Sequence, residues 1–273
     1  MSEPTKTDDH ALIEAAQAGD RQALESLIEH YQSHVFRFGM KMCGDPQDAE
    51  DVLQETMLAM ARTVSNFRGA SSVSTWLYSI ARSFCIKKRR RSKFAPSAEV
   101  SLEVDGRGEA RQVATSSPDP EDLASARQMQ QLLERAIAAL EPSYREVLLL
   151  RDVEGLTAKE VGEVLNLSVA AVKSRLHRAR SSVRRDLAGA LDEPGDTCPD
   201  VVDLFSRHLE GDISADLCAE MEQHIDKCGR CHGACDSLRQ TLALCQAAPA
   251  PEVPESVKNS IKVAMQDLLL SRK

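Results

Sequence analysis

The apolar residues of this chain recur at intervals of three and four, the spacing that places side chains on one face of an α-helix. Alternating patterns typical of strands are nearly absent. The pattern therefore predicts an all-α protein. The predicted helices are Leu12 to Gly39 as one or two elements, 47–64, a helix from about Ser74, 123–140, 143–153, one after Thr157, one after Ser168, the segment VVDLFSRHL and a last helix at 256–270.

The segment 141–185 has the pattern of two short helices joined by a tight turn. Thr157 and Glu160 form a capping box, and Asn166 tolerates the left-handed backbone that ends the first helix. Ser168 is the predicted N-cap of the second helix. Its apolar stripe is Val172, Leu176, Ala179, Val183 and Leu187, and its other faces carry Lys173, Arg175, Arg178, Arg180, Arg184 and Arg185. The segment predicts a helix-turn-helix that binds DNA, with a basic surface helix as the alternative.

Charge is divided unevenly along the 273 residues, which carry a net charge of −8. Residues 192–240 hold twelve acidic and four basic residues, whereas residues 82–93 hold seven basic residues and no acid. A basic cluster and a basic helix therefore precede an acidic tail that could fold back on them. No apolar run reaches the length of about 18 residues that a membrane span needs, and the polar N-terminus has no signal-peptide core, so we expect a cytoplasmic protein without membrane contact.

Breaks in the helical pattern divide the chain into units. Pro and Gly residues among polar ones at 95–122 predict a flexible linker. The predicted units are a helical domain at 10–94, the linker at 95–122, a helix-turn-helix domain at 123–190, a cysteine-containing domain at 196–246, and a linker with an amphipathic helix at 247–273.

Six of the eight cysteines lie between residues 198 and 245, a clustering that favours metal or redox chemistry in a reducing compartment. His224 and Cys228 are four residues apart, and Cys231 follows after two more residues. With Cys198 as the fourth ligand, these residues predict a structural zinc site. Reduced structural cysteines are the alternative. The thiols left over, Cys218, Cys235 and Cys245, suggest a second site for a soft metal.

Two separate segments resemble one protein family. The motifs DAEDVLQE and FRGASSVSTWLYSIAR in 48–91, and YREVLLLRDVEGLT and VKSRLHRAR in 141–185, resemble regions 2 and 4 of bacterial extracytoplasmic-function sigma factors, in that order and without a region 3. The cysteine-containing segment resembles the zinc-binding anti-sigma fold. The resemblance implies a sigma factor that binds core RNA polymerase and reads the −10 and −35 promoter elements.

The resemblance also implies roles for individual residues. The acidic helix face of Asp48, Asp51 and Glu55 would contact the β′ clamp helices of the polymerase, and region 4 the β flap. Residues expected at the −10 element, where a base leaves the stack, are Asn66, Arg68, Ser72 and Ser74, followed along the phosphates by Arg82, Lys87, Lys88, Arg89 and Arg90. Those expected at the −35 element are Ser168, Ala170, Ala171, Lys173, Ser174 and Arg175 near bases, with Arg178 and Arg180 on the backbone.

The tail suggests regulation in cis. We expect it to contact one or both sigma domains and to respond to metal or to oxidation of a liganding thiol, because loss of metal and loss of fold are coupled. The alternative function is a stand-alone, metal-responsive helix-turn-helix regulator, which leaves residues 48–91 without a role. Catalysis is not expected, since no zinc-hydrolase or deaminase motif occurs. Cys43 and Cys85 are interpreted as ordinary small apolar residues, and Trp76 as a core residue.

Overall fold

In a computed structural model, the described residues are 6–94, 120–188, 200–247 and 250–270, and their regular structure is entirely helical. The all-α prediction is confirmed. The predicted linker falls outside the described residues from 95 to 119, as does Cys198. The helices are α1 (Lys6–Gln17), α2 (Arg21–Cys43), α3 (Pro46–Thr63), α4 (Val73–Phe94), α5 (Pro120–Ala139), α6 (Pro142–Leu148), α7 (Ala158–Leu165), α8 (Val169–Ala188), α9 (Val201–Leu209), α10 (Ala215–Lys227), α11 (Gly229–Ala247) and α12 (Glu255–Leu270).

Helices α1 to α4 form the first module, and local signals set their ends. The Asp20 carboxylate caps α2 by accepting from the backbone N–H groups of Gln22 and Ala23. Gly44, in the left-handed region at a φ of 73°, ends α2. Asp45 caps α3 by accepting from the Asp48 N–H. Helix α3 packs between α2 and α4, and Leu27, Phe38, Leu53, Met57 and Leu77 are fully buried there.

Helices α5 to α8 form the second module, whose last two helices are the predicted helix-turn-helix. The Thr157–Glu160 capping box is present, and Asn166 adopts a left-handed φ of 55°. The Ser168 hydroxyl accepts from the Ala171 N–H at 3.2 Å, which confirms it as the cap of α8. The predicted stripe is buried from Val172 to Val183, so α8 packs on α6 and α7 through this face. A π-helical turn, Leu149–Val153, extends α6.

The tail divides into two parts. Helices α9 to α11 enclose a small core of their own that includes Val201, Phe205, Met221 and Leu238. Helix α12 instead joins the core of the first module through Val257, Ile261 and Met265, and it packs against α3. None of the described helices is both long enough and apolar enough to cross a membrane.

The two modules are in direct contact through buried polar groups. The Glu154 side chain, 1% exposed, accepts from Arg37 Nη2 at 2.7 Å and from the Tyr78 hydroxyl at 2.7 Å. The Arg82 guanidinium donates to Glu146 at 3.1 Å. The first module thus supplies the cations and a hydroxyl, and the second supplies the carboxylates. This arrangement brings the C-terminal half of α2 and the first half of α4 against α6 and the residues just before α7.

Candidate nucleic-acid interface and metal centre

The loop between α3 and α4 borders a cavity of about 400 Å³. Arg68, Ser72 and Ser74, which the resemblance assigns to the −10 element, line it. Asn66 is exposed at the end of the short 3-10 turn and is not part of the lining. The Ser72 hydroxyl accepts from the Thr75 N–H at 3.2 Å and so begins α4. The loop is therefore fixed at its α4 end while Arg68 stays exposed.

The opposite wall of this cavity comes from α1, which the sequence analysis did not assign to the site. The Gln17 amide donates to the backbone oxygens of Val64 at 3.1 Å and Phe67 at 2.5 Å, so it holds the start of the loop. Asp9 accepts from the Tyr31 hydroxyl with one oxygen, and its other oxygen is buried without a partner among the described residues. Burial and this carboxylate raise the pKa of Tyr31. No local signal links Gln17 to a loop about 50 residues away.

The basic cluster of α4 is only partly free. Lys88 binds Asp51 and lies 3.2 Å from an oxygen of Asp48. The hydrogen bond to Asp51 raises the pKa of the Lys88 ammonium against the effect of burial. Lys87 and Arg90 are exposed on the same helix, and Arg82 is held by Glu146. The acidic face predicted to be free therefore forms ion pairs within its own module, and only Glu55 is fully exposed.

The start of α8, where base contacts are predicted, lies against the tail. The Lys173 ammonium binds Asp212 at 2.5 Å and the Glu210 backbone oxygen at 3.1 Å. His177 Nδ1 lies 3.4 Å from an Asp203 oxygen. Ala170 and Ser174 face the same tail residues across a cleft. An acidic loop of the tail therefore binds Lys173, beside predicted base-contacting residues of which Ser168, Ala170 and Ser174 are exposed.

Arg180 corrects the sequence analysis, which placed it at the DNA backbone. Its side chain is 3% exposed and donates to both oxygens of Asp152, at 2.9 and 2.6 Å. It also binds Glu210 of the tail at 3.0 Å and the Ser206 hydroxyl at 3.2 Å. Helical spacing turns this residue toward α6 and α9 rather than toward solvent. Arg178, which is exposed and hydrogen-bonds the Tyr144 hydroxyl, keeps its predicted position on the surface.

Three of the four predicted metal ligands meet in the tail. The ligand atoms of His224, Cys228 and Cys231 all lie within 4.8 Å of one another, and His224 Nε2 is 3.2 Å from Cys231 Sγ. His224 lies in the last turn of α10, Cys228 caps its end, and Cys231 lies in the first turn of α11. One imidazole and two thiolates are a donor set that suits tetrahedral zinc. The predicted fourth ligand, Cys198, lies outside the described residues.

The predicted second site is not assembled from the remaining thiols. Among the described residues, the only group of three ligands close enough to share an ion is the one at His224. Cys235 and Cys245 lie ten residues apart on one helix, about 15 Å along its axis. Cys245 is buried in the main core and Cys235 in the core of the tail. Cys218 instead lies 3.3 Å from His208 Nδ1.

These features are typical of a helical DNA-binding protein with two separate modules and a tail that contains a candidate metal site. Family models match in the same order: Sigma-70 region 2 at residues 27–94, Sigma-70 region 4 at 130–183 and a putative zinc-finger at 198–232.

The chain is 30% identical over 193 residues to the RNA polymerase sigma-H factor of Pseudomonas aeruginosa, covering 69% of this chain and 98% of that protein. It is 29% identical over 178 residues to the ECF RNA polymerase sigma factor SigW of Bacillus subtilis, covering 64% and 94%. A solved structure of the sigma factor RpoE in complex with the anti-sigma factor NepR from Bartonella quintana aligns at 19% identity and a TM-score of 0.45, covering 61% of this chain and 96% of that one.

The chain belongs to the extracytoplasmic-function group of the RNA polymerase sigma factors. It is a transcription initiation factor whose tail matches a putative zinc-finger domain. The stand-alone regulator considered from the sequence is set aside, because the match to region 2 accounts for the first module.

Proposed function

We propose that this sigma factor is held in an inactive, closed form by its own tail, and that release of the tail allows it to bind polymerase and promoter. The observation that carries the proposal is the acidic loop after α9, which occupies Lys173 at the start of the recognition helix. A sigma factor must expose this helix to read duplex DNA in the major groove. The same surface cannot hold the tail and DNA together.

The promoter contacts we propose follow the exposed polar groups of the two modules. At the −10 element, the cavity beside Arg68, Ser72 and Ser74 would take an unstacked base, and exposed cations of α4 would follow the phosphates. At the −35 element, the first turns of α8 would meet base edges once the tail has left. The proposed contacts are Asn66, Arg68, Ser72, Ser74, Lys87, Arg89 and Arg90 at −10, and Ser168, Ala170, Ala171, Lys173, Ser174, Arg175 and Arg178 at −35.

We propose that core RNA polymerase binds the first module through α3, by its β′ clamp helices, and the second module through its β flap. Glu55 is exposed for this contact, and Asp48 and Asp51 are available only when Lys88 leaves them. The partial exposure of these pairs makes the exchange inexpensive, because a surface ion pair contributes about 0–1 kcal/mol. Helix α12 packs on α3, so the tail also restricts the module that would bind the clamp.

Zinc is the metal we propose for the cluster of His224, Cys228 and Cys231, with Cys198 as the expected fourth ligand. Zinc bound there would cross-link α10 to α11 and stabilise the small core of the tail. The Glu210 to Asp212 loop that holds Lys173 extends from α9, which packs on both α10 and α11. Loss of the metal, or oxidation of a liganding thiolate, would therefore loosen the tail and its hold on α8.

Promoter-directed transcription with core polymerase tests the proposal. We expect a chain ending near Asp192 to initiate more transcription than the full chain, and we expect added oxidant or chelator to raise only the activity of the full chain. Equal activity of both chains under every condition would contradict regulation by the tail and leave the family assignment intact.

A single substitution makes the test sharper. Asp212→Ala removes a partner of Lys173, so it should raise the activity of the full chain. Asp216→Ala is the matched control, because Asp216 is an exposed acid of the same tail, at the start of α10. If both variants respond alike, net charge rather than the Lys173 contact controls the tail.

A further inference from the structure

Two cysteines of the first module meet in the structure, although 42 residues separate them. Cys43 is the last residue of α2 and Cys85 lies in the middle of α4, and their Sγ atoms are 3.7 Å apart. Cys85 is 1% exposed, whereas Cys43 is half-buried and accessible from the surface. Neither residue belongs to the cysteine-rich tail. The sequence offered no reason to pair them, and each was interpreted there as an ordinary apolar residue.

The surroundings of the pair distinguish the two thiols. The hydrogen bond with Cys85 lowers the pKa of the Cys43 thiol, and Lys88 and Arg89 act in the same direction, against burial and Asp48. The contact with Cys43 and its own burial raise the pKa of Cys85. Cys43 is therefore the thiol that ionises first, and it is also the one that a solute can reach. Cys43 thus has the pKa shift and the access of an attacking thiol, and the Cys85 sulfur, 3.7 Å away, is close enough to react with the sulfenic acid formed there.

We propose that Cys43 and Cys85 are a site of reversible oxidation, at which a hydroperoxide converts the two thiols to a disulfide. In the first step the Cys43 thiolate attacks one oxygen of the hydroperoxide. The O–O bond breaks, Cys43 becomes a sulfenic acid, and the other oxygen leaves as an alcohol or as water. In the second step the Cys85 sulfur attacks the Cys43 sulfur, the S–O bond breaks and water leaves with the thiol proton. The two thiols lose two electrons and the O–O bond gains them.

The geometry requires only a small movement. The two sulfur atoms must approach from 3.7 Å to about 2.0 Å. Cys43 is the last residue of α2 and Gly44 beyond it is the left-handed cap, so no further helical turn follows the thiol. The bond would link the end of α2 to α4 across α3, and it would restrict the unfolded chain over 42 residues.

Formation of the disulfide would stabilise the first module. The same oxidising conditions would remove metal ligands from the tail. The inference does not depend on the sigma function, because the pair lies within one module. Reduction by a dithiol would restore the thiols. The oxidised module would keep the cavity beside Arg68 and the acidic face of α3 folded while the tail is damaged.

Peptide mapping of the full chain tests the proposal directly. The metal-loaded protein is treated with hydrogen peroxide, free thiols are blocked with iodoacetamide, and the chain is cut with trypsin. Cys43 then lies in the peptide 42–62 and Cys85 in the peptide 83–87, and neither contains another cysteine. We expect a linked species that weighs two hydrogens less than the sum of the two peptides and that disappears with dithiothreitol. Recovery of both peptides alkylated, or of Cys43 linked to a tail cysteine, would overturn the proposal.

Thermal unfolding gives a second readout with a matched variant. Cys43→Ser keeps a small polar side chain at a half-buried position and removes only the attacking thiol. Each protein is compared with its own reduced form, so a change caused by the substitution itself cancels, and damage to the tail is common to both. We expect oxidation to raise the melting temperature of wild type relative to the variant by roughly 5–10 °C. Equal shifts in the two proteins would mean that no stabilising link forms.

Discussion

Arg180 is a basic residue of the predicted recognition helix, but its side chain forms buried ion pairs that stabilise the fold. Its guanidinium joins α8 to Asp152 of its own module and to Glu210 of the tail, with all three side chains at most 5% exposed. Removing Arg180 leaves the buried Asp152 carboxylate without this cation, while Glu210 keeps Arg151, whose Nε lies 3.3 Å away. We expect Arg180→Ala to lower the free energy of unfolding by about 3–5 kcal/mol, measured by urea denaturation.

Arg178→Ala is the control for this prediction, since Arg178 is exposed on the same helix. It should change stability by no more than about 0.5 kcal/mol while weakening promoter binding by the chain ending near Asp192. An Arg180→Ala variant with wild-type stability and weaker promoter binding would restore the assignment made from the sequence.

Gly162 is required by the close approach of two chain segments within the helix-turn-helix. A Cβ atom at this position would lie 2.7 Å from the Leu167 backbone oxygen, which belongs to the turn between α7 and α8. The backbone has no side-chain rotation with which to relieve this overlap. Gly162→Ala should therefore destabilise the second module by about 1–3 kcal/mol, seen as a lower denaturant midpoint. Gly233→Ala, in a helix with no atom near the added Cβ, should be neutral or stabilising.

At the scale of elements, Glu154 is a residue of the second module that binds both α2 and α4. Burial alone would raise the pKa of Glu154, but hydrogen bonds from His34, Arg37 and Tyr78 outweigh it, and the pKa lies below its ordinary value. Because the folded pKa is depressed, the stabilisation is fully present above the unfolded pKa of about 4.3 and is lost as the pH falls through the folded value.

The contact between the modules should therefore weaken at low pH, because Glu154 becomes protonated. We expect Glu154→Gln to reduce stability at neutral pH and to flatten the fall in stability between about pH 5 and pH 3, measured by urea unfolding at each pH. Glu163→Gln, which changes an exposed acid of α7, is the control and should follow wild type. If the stability of Glu154→Gln falls with decreasing pH as steeply as that of wild type, the Glu154 ion pair contributes nothing to stability.

Features that depend on residues close together in the chain could be predicted from the sequence. Contacts between distant helices could not. The capping box at Thr157, the left-handed Asn166 and the three close ligands around His224 each depend on residues within a few positions of one another. The pairs Arg37–Glu154, Lys88–Asp51 and Cys43–Cys85 join residues far apart in the chain, and helical periodicity carries no information about which faces meet. For the same reason the sequence did not reveal that Lys88 pairs with Asp48 and Asp51 on the acidic face of α3.

At the scale of the whole molecule, the spacing of the two promoter elements differs from the spacing of the two modules in the closed form. The −10 and −35 elements are about 25 base pairs apart, which is about 85 Å at about 3.4 Å per base pair. In the closed form, however, the two modules are joined directly by the Arg37–Glu154 hydrogen bonds, the shortest of which is 2.7 Å. We therefore expect the modules to separate on the promoter; residues 95–119 lie between them in the sequence. The tail holds both modules at once, through α8 and through α3.

The distance between the modules in solution tests this account most directly. Fluorescent labels on non-natural residues at Ala18 and Glu163, both exposed, leave every cysteine in place. We predict high energy transfer in the free, metal-loaded full chain, and a separation larger by several tens of ångströms when core polymerase and promoter DNA are bound. A distance that stays short in an active promoter complex, or that is already long in the free chain, would contradict the closed form.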